Sequence, residues 1–511
     1  MAQQSINIGE LIDERPIGLF HICVVAFAFA IIMSDGYDIT AIAYAAPELL
    51  KQWAITDRSA LGPVFSASLV GLLVGAPLLG FVGDRYGRKT ASIGSLVVFG
   101  AFTLAAAWAR SLDQMLILRG LAGVGLGGLL PNMIAYTGEF APRRYRATLI
   151  IVMYCGVTLG GAIPAAISVW LVPRYGWEAI FLIGGLMPLA LAACAWLWLP
   201  ESVKFLVVKG RRDEAERVLR MLAADTDIGP QTVLVLSAET VYADFNPRHL
   251  FAEGLAFITP LLWLCFAINL MGLNFLISWM PTLLIGQEPL AQSDAAIVTS
   301  LVQIGGTIGG LALCRPMERR GFWPVALLSA SAVPFVALIG YAAATSVWLL
   351  IPVVTLAGFC ILGPQFGLNA ASAMIYPTTV RSNGSGWAFG VGRFGSILGP
   401  IFGGELIALK LSVPMVFLIA AGPFRRQHAG LHRARGAVCG EIPGFGARRA
   451  RYDGKPGPRV SSVPSDSGWN QARSSDGWYL SGDPVRFRGA VRGCGRVSHV
   501  KVEQLKPQAG V

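Results

Sequence analysis

A decapeptide, Gly80-Phe81-Val82-Gly83-Asp84-Arg85-Tyr86-Gly87-Arg88-Lys89, occurs twice in this chain, and the repeat limits what the chain can fold into. The second copy is worn: Met317-Glu318-Arg319-Arg320-Gly321 aligns with Gly83 to Gly87 at an offset of 234 residues. The same offset carries Pro47 onto Pro281, and an offset of 235 carries Pro142 and Arg146 onto Pro377 and Arg381. Each copy is wedged between two long apolar segments. A nearly gapless repeat in so apolar a chain implies two homologous membrane halves, the layout of a secondary transporter.

Of the 511 residues, 54% are hydrophobic and 14% charged, and the mean hydropathy is +0.58. A soluble protein of this size would expose too much apolar surface to stay monomeric. Runs close to the ~20 residues that cross a bilayer recur along the chain. In the first half they are Ile17–Ala46, Leu61–Gly83, Thr90–Ala109, Leu112–Gly138, Ala147–Val172 and Trp177–Leu199. In the second they are Leu255–Ile285, Ala295–Cys314, Trp323–Ala344, Val347–Ile375 and Gly384–Ala408. Lipid offers the backbone no hydrogen-bond partner, so these runs are predicted to be helices and the fold an all-α membrane protein.

Arg85/Arg88/Lys89, Arg143/Arg144/Arg146, Arg315/Arg319/Arg320 and Arg381 fall in alternate short loops. The intervening loops carry little more than Lys51/Arg58, Arg110, Arg174 and Lys410. By the positive-inside rule the richer loops are expected in the cytoplasm, together with the N-terminus, and the protein in the inner cell membrane. The first apolar run lacks a small-residue cleavage site after it, so no cleaved signal peptide is expected. The eight Cys and five His show no paired or ligand spacing, and no disulfide framework or metal site is expected.

The expected organisation is a first bundle over residues 1–199, a cytoplasmic linker over 200–254, a second bundle over 255–424 and a basic tail over 425–511. Within the linker, Ala215, Val218, Leu219 and Leu222 share one helical face. That face suits either an amphipathic helix lying against the membrane or the bundle, or a solvated linker helix. A twelfth span is due after Lys410, but Leu411–Phe424 gives way at once to Arg425-Arg426, so this helix is expected to be incomplete. The last 87 residues hold sixteen Lys/Arg against six Asp/Glu, a net charge of +10 that is nearly all of the chain's +11. The basic balance therefore implies no nucleic-acid partner. The tail's Arg/Gly/Ser/Pro composition has too little apolar area to order itself. We read it as a shifted coding frame beginning near Phe424, with a genuine basic extension as the alternative. Resequencing the locus checks this: an interrupted frame is expected, and an intact one sharing its tail with close relatives refutes it.

At Gly80–Lys89 the chain resembles the major facilitator superfamily, whose loop between helices 2 and 3 carries GxxxDRxGRK. The resemblance covers residues 17–424 and includes the second-half echo. Asp35-Gly36-Tyr37-Asp38 is similar to the DGxD signature of the aromatic acid:proton symporters. Arg119–Gly128 (RGLAGVGLGG), Glu139-Phe140-Ala141-Pro142, Met153-Tyr154-Cys155-Gly156, Trp279-Met280-Pro281-Thr282 and Trp387–Gly395 (WAFGVGRFG) agree with that branch. The resemblance implies two six-helix bundles related by a pseudo-two-fold axis, alternating access around a central cavity, and uptake of benzoate- or hydroxybenzoate-like acids with protons. It implies no cofactor beyond the proton gradient. Glu318 departs from the Asp common in the second loop, and the twelfth helix departs more seriously.

Asp35 and Asp38 stand three apart in an otherwise apolar helix and so share a face. Carboxylates at this depth are costly when ionised. Two acids hydrogen-bonded for helix packing are the alternative, and a proton-coupling role is favoured as what justifies that cost. The repeat supports this: Asp35 maps onto Asn269 and Asp38 onto Gly272, so the scaffold does not require acids here. Arg119 is expected to bind the substrate carboxylate, to serve as counter-ion to Asp35, Asp38 or Glu139, or to snorkel as an anchor. Arg393, mid-helix among glycines, is the favoured contact for the substrate carboxylate, with a purely structural ion pair as the alternative. Glu139 belongs either to the proton path or to a cytoplasmic gate with Arg143/Arg146. Asp84, Arg85, Gly87 and Arg88, with Glu318 and Arg319 in the second copy, are expected to form the gate. Tyr37, Asn269 and Trp387, with Asn274, Gln303, Gln365 and Asn369, are candidates to line an aromatic-acid cavity.

No GxxxxGK[ST] occurs, so the sequence gives no support for ATP drive. Two readings stand beside an importer of aromatic carboxylates, which is expected to be a monomer and not an enzyme. One is a facilitator for a sugar, aliphatic acid or drug, since Pro200-Glu201-Ser202 and Lys209-Gly210-Arg211 also occur in sugar porters; two intramembrane arginines favour an anion. The other is a transport-inactive product or sensor.

Overall fold

A computed structural model describes residues 5–13, 15–142, 144–222, 233–235, 250–251, 255–285, 292–320, 323–375, 381–425 and 427. The first bundle comprises α1 Leu19–Gln52, α2 Leu61–Tyr86, α3 Arg88–Ala106, α4 Leu112–Phe140, α5 Arg146–Trp170 and α6 Glu178–Trp198. The second comprises α7 Leu255–Leu284, α8 Gln292–Arg320, α9 Trp323–Thr345, α10 Val347–Ile375, α11 Arg381–Ala408 and the short apolar α12 Val413–Arg425. Among the described residues, ten helices are long and apolar enough to cross a membrane. The predicted spans fall on α1 to α11 within a turn or two. The largest difference is at α1 and α8, which each run past their apolar stretch, α1 through Pro47 and α8 through Pro316. At 1.5 Å per residue α12 is about 20 Å long, short of a ~30 Å hydrocarbon core. Residues 428–511, and with them nearly all of the expected tail, lie outside the described residues.

The helices are held together by close approach at glycines, and the repeat places them. A side chain on Gly71 or Gly75 of α2 would run into the backbone of α4, and one on Gly123 of α4 into Ser68 of α2. At the offsets of the loop repeat, Gly305 and Gly309 of α8 meet the backbone of α10, and Gly358 of α10 meets Val302 of α8. Gly160 of α5 lies against the Met33 carbonyl of α1, and its counterpart Gly395 of α11 against Ala267 of α7. Without a hydrophobic force between helices in lipid, backbone approach of this kind supplies the dispersion contact that packs them. The second halves of α1 and α7 are buried on nearly every side, which marks them as the inner helix of each bundle.

The bundles close on one another at the end where α2 begins and α7 finishes. There the Arg58 Nη1 donates to the Thr282 carbonyl at 3.4 Å and Ser66 Oγ to the Ile397 carbonyl at 2.8 Å. Phe65 meets Trp279 edge-on at 5.0 Å, and Trp279 Nε1 donates to the Pro400 carbonyl. Midway along, Thr307 Oγ1 of α8 and Thr158 Oγ1 of α5 are 2.8 Å apart.

At the opposite end, the helix Arg212–Leu222 buries Ala215, Val218, Leu219 and Leu222 against Ile8, Ile12, Val203 and Leu206 and the end of α4. The apolar face read from the sequence thus docks on the first bundle. A three-residue parallel pairing of Ser5–Asn7 with Val233–Val235 joins the N-terminal segment to the linker.

Gly160→Leu is expected to cost more than ~3 kcal/mol, because backbone cannot move aside for the new side chain. Gly94→Leu, where an added Cβ meets nothing, is expected to stay within ~0.5 kcal/mol. Thermal unfolding in detergent distinguishes them; equal effects would show that the α1–α5 crossing is not tight.

Candidate functional site

Three polar groups sit along the first bundle, each positioned by different helices. The innermost is built around Asp38 of α1. Arg119 of α4 grips it through two parallel bonds, Nη1 to Oδ1 at 2.6 Å and Nη2 to Oδ2 at 2.7 Å. Nη2 also donates to the Asp38 carbonyl at 3.0 Å. Thr103 Oγ1, from α3, donates to Asp38 Oδ1 at 3.0 Å. Asp38, Arg119 and Thr103 have no exposed surface. Of the roles open to Arg119 in the sequence, the geometry selects counter-ion to Asp38. Its burial away from a helix end sets snorkelling aside.

One turn earlier, Asp35 is buried but unlike Asp38 it is unsaturated: its Oδ1 has no hydrogen-bond partner among the described residues. Arg393 of α11 and Tyr154 of α5 lie within electrostatic reach of it. Arg393 is half-buried, with its guanidinium 4.5 Å from the centre of the Phe389 ring. Asp35 and Arg393 belong to opposite bundles, so this electrostatic interaction runs between the bundles.

The third group is at the α2–α3 turn. Gly87, at φ +105°, ends α2 and starts α3, a conformation other residues rarely adopt. Arg88 pairs with Asp84 at 2.6 Å and approaches Glu139 of α4 at 3.6 Å. Its Nη1 donates to Asn132 Oδ1 at 3.4 Å. Ser202 Oγ donates to Glu139, and Glu201 Oε1 accepts from the Lys89 amide at 3.1 Å at the start of α3. An anion there satisfies one of the orphan amides of a helix N-terminus. Glu139 therefore sits with the residues expected to form the gate, its partner being Arg88, while Arg146 approaches Asp13 at 3.8 Å. Arg143 lies outside the described residues. Arg85, expected in the gate, is exposed and stands over Tyr86. Glu318 and Arg319 fall in the last turn of α8, and their side chains lie outside the described set.

The proposed cavity-lining residues are dispersed. Tyr37 is wholly buried and donates its hydroxyl to the Ile180 carbonyl of α6 at 2.6 Å. The reason is helical phase: at about 100° per residue Tyr37 is about 160° from Asp35 around α1. Asn269 is also fully buried, donating to Gln365 Oε1 at 2.9 Å and to the Ile361 carbonyl, and accepting from Gln427 at 3.1 Å. Trp387 is nearly half exposed and stacks on Trp263 with centroids 5.9 Å apart. Thr103, Asn132 and Glu201 are polar participants that were not singled out for a role in the sequence. Glu201 had a signal in the Pro200-Glu201-Ser202 motif; Thr103 and Asn132 are single polar residues inside apolar runs.

Comparison with known proteins places this geometry. The family model described as Major Facilitator Superfamily matches residues 27–400. The chain belongs to that superfamily. Within it, the chain is 35% identical over 420 residues to the gallate transporter of Pseudomonas putida, covering 82% of this chain and 92% of that protein. It is 36% identical over 412 residues to the 4-hydroxybenzoate transporter PcaK of Pseudomonas aeruginosa, covering 80% and 91%. With the benzoate transport protein of Acinetobacter baylyi it shares 32% identity over 416 residues, covering 80% and 88%. Among solved structures, the xylose transporter XylE from E. coli, in a partially occluded inward open conformation, matches at TM-score 0.64 and 16% identity, covering 81% of this chain and 98% of that one. At that identity the likeness shows the fold. This major facilitator is a multi-pass membrane protein of the branch those three relatives form.

Removing one partner of a buried ion pair leaves an uncompensated charge, so Asp38→Asn and Arg119→Met are each expected to cost about 3–5 kcal/mol. The double variant is expected to cost at least ~2 kcal/mol less than the sum, because both charges are then gone. Thermal unfolding of the four proteins in detergent checks this, and additive losses would show the pair to be uncoupled.

Proposed function

We propose that this major facilitator is a proton-coupled importer of aromatic carboxylates of the benzoate and hydroxybenzoate type. We place it in the inner membrane with its N-terminus and the Gly80–Lys89 loop in the cytoplasm. The observation that carries the reading is the contrast between two neighbouring carboxylates. Asp38 is saturated by Arg119 and Thr103, whereas Asp35 keeps a buried oxygen with no partner among the described residues and lies within electrostatic reach of Arg393 on the opposite bundle. The relatives named as transporters of gallate, 4-hydroxybenzoate and benzoate support the substrate class.

In the proposed cycle, ionised Asp35 neutralises Arg393 while the cleft is empty. Protonation of Asp35 from the outer side removes that negative charge and leaves Arg393 to hold the incoming carboxylate, in a setting where a lone buried cation is costly. The loaded and empty proteins then carry the same net charge in the cleft, so both pass through the closed state between outward and inward openings. On the inner side, loss of the proton restores the Asp35–Arg393 attraction, which competes with the substrate and favours its release. Arg88, Asp84 and Glu139 form ion pairs that are made or broken with the inner opening. Phe389 and Tyr154 beside the charged groups offer ring faces and edges to an aromatic acid.

Uptake of labelled 4-hydroxybenzoate into proteoliposomes tests the reading. Wild-type protein is expected to accumulate the acid when the outside is acidic and to lose accumulation on addition of a protonophore. Asp35→Asn is expected to retain exchange of labelled for unlabelled acid while its gradient-driven accumulation falls at least about tenfold, the equivalent of one lost proton-linked step of ~1.4 kcal/mol. Full accumulation in that variant would remove Asp35 from the coupling.

A further inference from the structure

We infer that a hydroxyl-sized subsite between the bundles reads the ring substituent of the transported acid, with Ser68, Arg119 and Asn274 as its polar wall. This inference rests on the aromatic-carboxylate reading above and adds to it a ring-substituent site, in which Ser68 is new and Arg119 and Asn274 take a role other than the one expected of them.

A narrow cavity of about 10 Å³ lies between Ile39, Ser68 and Arg119 of the first bundle and Asn274 and Ser278 of the second. That is about the room one water or one hydroxyl oxygen takes. The remainder of its wall is Phe65 and leucines of α2 and α4, so any polar atom entering it must find its partners among these few side chains. Two of them have bonding capacity to spare. Ser68 Oγ and Arg119 Nε are buried with no hydrogen-bond partner among the described residues. The terminal nitrogens of Arg119 spend three of their four N–H groups on Asp38, and Nε is a donor still to be used. Asn274 spends its Nδ2 on the Leu270 carbonyl at 2.9 Å, which leaves its Oδ1 as an acceptor. Buried polar groups left unpaired are costly, and a wall that holds both a donor and an acceptor selects its occupant.

A phenolic hydroxyl meets both demands, accepting from Arg119 Nε and donating to Asn274 Oδ1, with Ser68 able to do either. A second carboxylate is too large for the space and would set its charge against Asn274 Oδ1. An ammonium would meet the guanidinium. The position along α1 fixes which hydroxyl enters. Ile39 at the cavity lies four residues beyond Asp35, a rise of about 6 Å along the helix. A carboxylate held at Arg393, beside Asp35, therefore points the far side of its ring toward the cavity. The hydroxyl at the para position reaches it, and one next to the carboxylate does not. Because both bundles supply the wall, this contact also draws them together around the substrate.

The test measures KM for benzoate, 2-hydroxybenzoate and 4-hydroxybenzoate with the same proteoliposomes, so that the ratios are independent of how much protein is folded. In wild type the KM for 4-hydroxybenzoate is expected to be about tenfold below that for benzoate, the worth of one to two hydrogen bonds lost when the hydroxyl is missing. The 2-hydroxy acid is expected to behave as benzoate does. Ser68→Ala, and independently the similarly sized Asn274→Leu, are expected to bring the benzoate to 4-hydroxybenzoate ratio to within about twofold of one. A ratio that both variants keep at the wild-type value overturns the subsite, the cavity then holding a resident water only. Equal preference for the 2-hydroxy acid overturns its placement at the far side of the ring. Failure of wild type to take up any of the three acids sinks the aromatic-carboxylate reading itself, and the subsite with it.

Discussion

The bidentate contact between Asp38 and Arg119 sets the chemistry of everything around it. Two charges wholly removed from solvent are held only where the attraction and the added hydrogen bonds offset their desolvation. Here the guanidinium supplies three bonds to Asp38 and Thr103 a fourth, so α1, α3 and α4 meet at one carboxylate. Apolar side chains of similar volume would often hold these helices as well. The pair is better understood as a means of occupying both oxygens of one acid, while its neighbour one turn away keeps an oxygen without a partner among the described residues. The proposed division of labour between Asp38 and Asp35 follows from that asymmetry in bonding, though the sequence gives them the same signature.

The repeat made the scaffold legible. Apolar run lengths gave α1 to α11, and the glycines at the α2–α4 and α1–α5 crossings recur at the α8–α10 and α7–α11 crossings at offsets of 234 or 235, those of the repeat. It also showed where symmetry fails. The counterpart of Asp38 is Gly272, whose missing side chain makes room for the Phe424 ring, and the counterpart of Asp35 is Asn269, whose amide is bonded on both sides. The second bundle has thus filled with apolar and neutral groups the positions where the first keeps its charges. What the sequence withheld were contacts decided by which helices become neighbours. Thr103 is one hydroxyl in an apolar run, and nothing in its local pattern points to Asp38. Tyr37 follows Asp35 by two residues, so helical phase turns it away from that acid, but only the placement of α6 shows that its hydroxyl is taken by the Ile180 carbonyl. Arg85 and Arg88 share a motif, yet the turn at Gly87 sends one into the cluster with Glu139 and leaves the other in the open.

Helix α4 links the two ends of the first bundle. Arg119 and Glu139 are twenty residues apart on it, about 30 Å along a continuous helix. A shift at the Asp38 pair is therefore felt as tilt or translation at the cluster of Arg88, Asp84 and Glu139. Glu201, Ser202 and the docked helix Arg212–Leu222 brace that cluster from the linker side. The arrangement supplies rigid elements with ion pairs at their ends, which favours two discrete positions over a continuum.

Contacts between the bundles are of a different kind. At the closed end they run to backbone carbonyls at Thr282 and Ile397 or between aromatic rings, and midway between two threonine hydroxyls. Apart from the single Arg58 contact these involve no charge, and they depend weakly on pH or salt. The approach of Asp35 to Arg393 differs, since a unit charge on each side makes the attraction depend on one proton. In the proposed cycle a proton on Asp35 or an anion at Arg393 would each weaken that attraction between the bundles. Neutral contacts elsewhere leave that difference undiluted. Under the proposed cycle, the chemistry of coupling and the mechanics of opening act on a single pair of side chains.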